Sequence, residues 1–181
     1  GGFCLPKDIQ AFMHLAQSVG IDFELLKAAE RVNKQRVDRC IEKVRKALWV
    51  VKGKRVAVLG LAFKANTDDI RFSPALEVVQ RLLDEGAEVR AYDPEAMARA
   101  QKLFPQVSYA RDSYQAVQEA DAVLICTDWE EFRRLDWTQV AETMARRLVI
   151  DGRNLLDPAR MRGLGFEYHS FGRSELSASA V

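Results

Sequence analysis

Lys54–Lys64 reads KRVAVLGLAFK, and its first half decides the fold. Arg55–Leu59 (RVAVL) is a short apolar run that ends at Gly60, the pattern of a strand buried on both faces of a parallel sheet. Beyond it, Pro74–Glu85 predicts a helix with Pro in its first turn and Gly86 as its stop. Glu88–Tyr92 is the next strand, Glu95–Lys102 a helix, Gln106–Tyr109 a weak strand and Ser113–Glu119 a helix. Ala122–Cys126 (AVLIC) follows as a strand, then helices over Asp128–Arg134 and Thr138–Met144. Arg147–Asp151 is a strand, Pro158–Gly163 a helix and Phe166–Ser170 the last strand. Strands alternating with helices at this spacing predict a doubly wound α/β domain with a mostly parallel sheet.

Upstream of this domain the pattern is helical. Ile9, Phe12, Met13, Ala16 and Val19 recur at helical spacing over Asp8–Val19, and Gly20 stops the run. A second helix is expected from an Asp22 cap to as far as Trp49, with Leu25, Leu26, Ala29, Val32, Val37, Ile41, Val44 and Leu48 mostly on one stripe. At about 1.5 Å per residue it is roughly 40 Å long, longer than one small domain needs, so it is expected to connect domains or to pair with a copy of itself. The expected division is a helical segment over 1–49, an α/β domain over 50–173 and a disordered tail over 174–181. The opening Gly-Gly-Phe-Cys, without a methionine, is expected to be the start of a piece of a longer polypeptide.

The 181 residues are 48% hydrophobic and 29% charged, with a formal net charge of +1. That balance supports a buried core and gives no global attraction to nucleic acid or to an anionic membrane. No apolar run approaches the length of a membrane span. The three cysteines, Cys4, Cys40 and Cys126, are odd in number and far apart. They fit a reducing cytoplasm better than a disulfide framework, and no metal-ligand cluster is expected.

A parallel α/β sheet binds ligands beyond the C-terminal ends of its strands. Three loops belong there: Leu61–Ser73, Thr127–Trp129 and Gly152–Asn154. Lys64, Arg71 and Arg153 lie in them, and three cations on one sheet edge suit phosphates, Arg as a fork and Lys as a point charge. Any one of them alone reads better as a solvated surface residue. Gly60 is followed by Leu-Ala-Phe-Lys, so the G-x-G-x-x-G of a dinucleotide site is missing after the first strand. The domain is Rossmann-like without that fingerprint. Cys4 stands before the first helix, beside Lys7 and downstream of Gly1 and Gly2. Positive potential at such a position favours a thiolate, and the glycines permit close approach of a substrate. Asp8 also reads as a helix cap. Cys40 and Cys126 read as core, and Asp93-Pro94 as a strand end turning into a helix. Trp129, Phe132 and Trp137 are expected to pack a surface helix on the sheet.

Gly1–Asp8 (GGFCLPKD), Gly60–Pro74 (GLAFKANTDDIRFSP), Tyr92–Pro94 (YDP), Cys126–Phe132 (CTDWEEF), Asp151–Pro158 (DGRNLLDP) and Phe166–Arg173 (FEYHSFGR) together resemble the UDP-glucose/GDP-mannose dehydrogenase family. The stretches come in the family's order and span residues 1 to about 173. Their wording is most similar to the members that act on UDP-glucose. The resemblance implies NAD-dependent oxidation of the sugar C6 hydroxymethyl to a carboxylate, giving UDP-glucuronate by two hydride transfers. Cys4 then matches the nucleophile that carries a thiohemiacetal and a thioester. Asp8 matches the carboxylate that helps activate water. Gly1, Gly2, Phe63, Lys64 and Arg153 match substrate-binding positions, and Lys7 and Arg71 lie toward the cofactor. The resemblance further implies a homodimer through the long helix and NAD held mainly by an N-terminal domain upstream of this segment. The segment alone is expected to be inactive. Phe3 and Leu5 flank the cysteine where relatives differ, which concerns packing around the sugar. Two other readings stay open: a GDP-mannose or UDP-N-acetylhexosamine dehydrogenase of the same family, and a stand-alone nucleotide-sugar-binding or dimerisation module.

Overall fold

The computed structural model describes residues 4–173, and side chains from Pro6 onward. The tail at 174–181, expected to be disordered, and Gly1 and Gly2 lie outside the described residues. Strands β1 (Arg55–Leu59), β2 (Glu88–Tyr92), β3 (Ser108–Tyr109), β4 (Ala122–Ile125), β5 (Leu148–Asp151) and β6 (Glu167–Ser170) form one sheet in the order β3-β2-β1-β4-β5-β6. Every pairing is parallel. This is the doubly wound order, with its reversal between β1 and β4. The weak strand shrinks to two residues at the sheet edge.

The strands sort their side chains with period two. Val56 and Val58 join one core layer with Leu124, Leu148 and Ile150. Ala57 and Leu59 join the other with Val123, Ile125, Val149, Phe132 and Trp137. Both layers are closed by helices, which is why the strand sequences are continuous apolar runs. The helices are α1 (Cys4–Ser18), α2 (Glu24–Leu48), α3 (Pro74–Asp84), α4 (Met97–Leu103), α5 (Ser113–Val117), α6 (Glu130–Arg134), α7 (Trp137–Thr143) and α8 (Pro158–Gly163). Asp112, Asp136 and Asp157 cap α5, α7 and α8 through their carboxylates.

The long helix divides in two. Val37, Cys40, Ile41, Val44, Ala47 and Leu48 of α2 are buried against the sheet layer. Its N-terminal half carries Leu25 at 74% and Val32 at 44% exposure, beside α1, where Phe12 and Leu15, and Val19 just past the helix end, are also exposed. The two helices are joined by a Gln10–Glu30 hydrogen bond of 2.9 Å and by the Phe12 and Phe23 rings, 5.7 Å apart.

Two expected caps are corrected. Asp22 does not cap α2; Phe23 occupies that position without a side-chain bond, and Asp22 pairs with Lys27 instead. Asp8 does not cap α1, because the helix already runs from Cys4, with Pro6 in its first turn where the ring is tolerated. Trp49, expected as the last helical residue, is the C-cap of α2 in the left-handed region at φ 62°.

Candidate functional site

The loop after β1 is fastened at several points. Gly60 has φ +94°, and a Cβ there would lie 2.4 Å from Thr127 Cβ, so only glycine lets the β1 and β4 ends meet. Thr127 Oγ1 donates to Ala62 O at 2.6 Å, and Ser73 Oγ donates to Leu61 O at 2.7 Å. Asp93, fully buried at the end of β2, completes the fastening. Its Oδ2 accepts from Leu61 N (2.7 Å), Ala62 N (3.0 Å) and Trp129 Nε1 (3.1 Å). Its Oδ1 accepts from Glu95 N (2.9 Å) and Ala96 N (2.8 Å).

The end of β5 is fastened in the same manner. Gly152 N donates to Ile125 O at 2.9 Å, and a Cβ on Gly152 would lie 2.9 Å from that oxygen. Buried Asp151 accepts Arg153 N on Oδ1 at 2.9 Å, and Leu156 N (2.9 Å) and the Tyr168 hydroxyl (2.7 Å) on Oδ2. Burial and this bond to Asp151 push the Tyr168 hydroxyl far above its usual pKa, so it stays a donor. Asn154, in the left-handed region at φ 54°, exchanges hydrogen bonds with the Phe171 backbone at 2.9 and 3.2 Å.

Between these strand ends and helices α1 and α2 lies a cleft of about 730 Å³. Phe63, Arg153 and Phe171 line it from the strand side, and Lys34 and Arg36 from α2. Cys40 and Cys126 form part of its wall. Burial pushes the Cys40 thiol up to about 12 and the Cys126 thiol well above its usual range, so both stay protonated and inert near neutrality. A second cleft of about 510 Å³ is lined by Asn66, Thr67, Asp68, Glu95 and Trp129. It has acidic groups and no Lys or Arg in its lining, the wrong polarity for a phosphate. Among the described residues no group of three His, Cys, Asp or Glu could hold a metal ion.

The expected site residues fall in three groups. Phe63 and Arg153 line the large cleft. Lys64 and Arg71 share the loop after β1 but stand outside its lining. The Lys64 ammonium lies 5.3 Å from the Phe63 ring centroid, and Arg71 binds Asp69 through Nε (3.0 Å) and Nη2 (2.7 Å). That guanidinium holds the Asp69 carboxyl down at about 2. Lys7 and Asp8 are exposed in the first turns of α1, which begins at Cys4. Two features escaped the sequence reading. Arg153 Nη2 is paired with Asp128 Oδ1 at 3.0 Å, a tertiary contact without a sequence signal. Lys34 and Arg36 flank an Asn33, Val37, Cys40 spacing of i, i+4, i+7, which would have marked the cleft face of α2.

Residues 57–158 match the model of the UDP-binding domain of the UDP-glucose/GDP-mannose dehydrogenase family, and residues 1–35 match its central domain. The chain belongs to that family. It is 44% identical over 176 residues to a UDP-glucose 6-dehydrogenase of Rhizobium meliloti (strain 1021), covering 97% of this chain and 40% of the relative. A UDP-glucose dehydrogenase structure from Pyrobaculum islandicum superposes with a TM-score of 0.80 at 34% identity, over 93% of this chain and 37% of the other. A UDP-D-ManNAc dehydrogenase structure from Pyrococcus horikoshii gives 0.78 at 31% identity, over 96% and 38%. The chain therefore spans about two fifths of the curated relatives it matches. Among the described residues no helix is long and apolar enough to cross a membrane.

Proposed function

We propose that this chain is the nucleotide-sugar-binding part of an NAD-dependent UDP-glucose 6-dehydrogenase, which converts UDP-glucose to UDP-glucuronate. The observation that carries this reading is the strand-end cleft. It is large enough for a small ligand and lined by Arg153 and Phe63, with Lys64 next to Phe63 in the loop after β1. Arg153 offers a planar fork to the diphosphate and Lys64 a point charge. Cys4 and Asp8, one helical turn apart at the start of α1, supply the nucleophile and the carboxylate that handles the proton of a water. Gly1 and Gly2 let the sugar come close to the backbone.

The α/β unit does not fit a dinucleotide, despite its topology. The Leu61 and Ala62 amides at the end of β1, where a pyrophosphate would be cradled, are already bonded to Asp93. On this reading the α/β unit binds only the nucleotide sugar. Lys7 and Arg71 are the chain's contributions toward a dinucleotide held elsewhere in the parent protein. The uncovered apolar residues Leu25 and Val32 of α2, next to Phe12 and Leu15 of α1, support a homodimer in which a second copy covers them. Leu25→Glu is expected to shift the parent protein toward monomer by sedimentation, and an unchanged mass would reject this surface.

Calorimetric titration of the chain with UDP-glucose tests the site. Arg153→Ala and Lys64→Ala are each expected to weaken binding about ten-fold or more, the worth of one charge-assisted hydrogen bond. Unaltered affinity in Arg153→Ala would remove the cleft as the diphosphate site. Likeness to the UDP-D-ManNAc dehydrogenase structure supports a second reading, a UDP-N-acetylhexosamine substrate. A panel of UDP-glucose, UDP-N-acetylhexosamines and GDP-mannose on the parent protein separates the two.

A further inference from the structure

The geometry points to Asp128 as a positioning residue for nucleotide-diphosphate binding: it holds the Arg153 guanidinium toward the cleft. This rests on the reading of Arg153 as the diphosphate fork. Asp128 and Arg153 lie in the loops that follow neighbouring strands, β4 and β5, whose terminal residues Ile125 and Asp151 are in register. Each is mounted on a fastened backbone. Thr127, fully buried, is locked to the β1 loop through its hydroxyl, so the next residue, Asp128, leaves the strand in a fixed direction. Arg153 follows Gly152, whose amide is bonded to β4, and its own amide is bonded to buried Asp151.

The fold thus fixes the Arg153 main chain but not its long side chain, which is 39% exposed. A free Arg samples many rotamers and loses that freedom when it grips a ligand. The contact between Arg153 Nη2 and Asp128 Oδ1 at 3.0 Å uses one edge of the guanidinium, and its other N–H groups remain for a diphosphate. Arg153 lines the large cleft whereas Asp128 does not, so the carboxylate holds the head from outside the ligand space. Asp128 also adds negative charge near an anion site, which opposes phosphate binding. Orientation and charge therefore pull in opposite directions, and two substitutions separate them. Asp128→Ala removes both, whereas Asp128→Asn removes the charge and keeps an acceptor oxygen at the same reach.

The test is calorimetric titration of the chain with uridine diphosphate for the unaltered protein, Asp128→Ala, Asp128→Asn and Arg153→Ala. Asp128→Ala is expected to bind about five-fold more weakly, the upper range for a half-exposed ion pair. Asp128→Asn is expected to recover that loss and to bind at least as tightly as the unaltered chain. Equal or tighter binding by Asp128→Ala would overturn the positioning role, since only the charge would then matter. If Asp128→Asn is as weak as Asp128→Ala, the acceptor geometry is not what holds Arg153, which also overturns it. Arg153→Ala keeps the two readings apart. If it loses binding while Asp128→Ala does not, the fork stands and the positioning role fails. If Arg153→Ala binds normally, or the unaltered chain shows no binding, the diphosphate reading fails and this inference with it.

Discussion

Replacing Asp93 with alanine should bring the α/β domain close to unfolding, although Asp93 is a loop residue. The carboxylate accepts five N–H groups at 2.7–3.1 Å while fully buried. Four of these donors, on Leu61, Ala62, Ala96 and Trp129, belong to buried residues. Each buried donor left without an acceptor costs about 1–3 kcal/mol, so the four together cost roughly 4–12 kcal/mol. The vacated space is polar, and water admitted to it would satisfy some donors. The lower end, about 4 kcal/mol, is therefore the expected loss, against a typical total of about 5–15 kcal/mol.

Asp93→Asn preserves the shape but turns an NH2 group toward at least two of the five donors, so it should lose about half as much or more. Trp129→Phe is the informative contrast. It deletes a donor and leaves the carboxylate with four, so it should cost only about 1–2 kcal/mol. Urea unfolding followed by far-ultraviolet circular dichroism measures all three, and Trp129 itself does not affect that signal greatly. A loss below about 1.5 kcal/mol for Asp93→Ala, with an unchanged denaturant slope, would refute the claim that this carboxylate holds the strand ends together.

Gly60→Ala should destabilise by about 3 kcal/mol or more in the same unfolding assay, because its φ is +94° and its Cβ would lie 2.4 Å from Thr127 Cβ. Asp69 should titrate by NMR with a midpoint of about 2, held down by Arg71, and return toward about 4 in Arg71→Ala. Its pKa is lowered on folding, so its contribution to stability is present above about pH 4 and is lost as pH falls toward 2. Cys40 and Cys126 should resist iodoacetamide at pH 7.5 and react in denaturant, as mass spectrometry would record, since burial raises both thiol pKa values. Modification of Cys40 in the native protein at the rate of a free thiol would contradict its burial.

The α/β topology was legible because its signals are local. RVAVL, AVLIC and the run to Asp151 are buried on both faces and need no partner sequence to be recognised as parallel strands, and Pro74 and Gly86 punctuate α3 at both ends. The helix starts were less legible. Asp22 looked like a cap, but its carboxylate pairs with Lys27 five residues on, and Phe23 takes the cap position. Of the residues lining the cleft, Arg153 was reached from its position after a strand end, and Phe63 only through the family resemblance. Asp128 and Asp93 were not placed, because what they do depends on atoms 25 and 31–36 residues away. Asp93 read as a turn residue, and it is one through Glu95 and Ala96; its second oxygen serves the far side of the loop crossing.

That second oxygen accounts for a doubly wound sheet that does without a glycine-rich dinucleotide turn. In the ordinary arrangement the β1 end presents glycine amides to a pyrophosphate, and an acid at the β2 end reaches the ribose. Here the acid at the β2 end folds inward and occupies the β1 amides itself. An internal anion thus takes the place of an external one, and no glycine fingerprint is needed, because nothing outside the protein has to approach that turn. On the reading proposed above, anion recognition is then left to side chains. Arg153, after β5, lines the large cleft together with Arg36, Glu77 and a Lys34–Glu30 ion pair of 3.0 Å. A backbone cradle accepts any phosphate of suitable shape, whereas an arginine held by a neighbouring carboxylate can be tuned by one substitution. On the reading proposed above, diphosphate affinity should accordingly follow Asp128 and Arg153 more closely than any residue of the β1 turn.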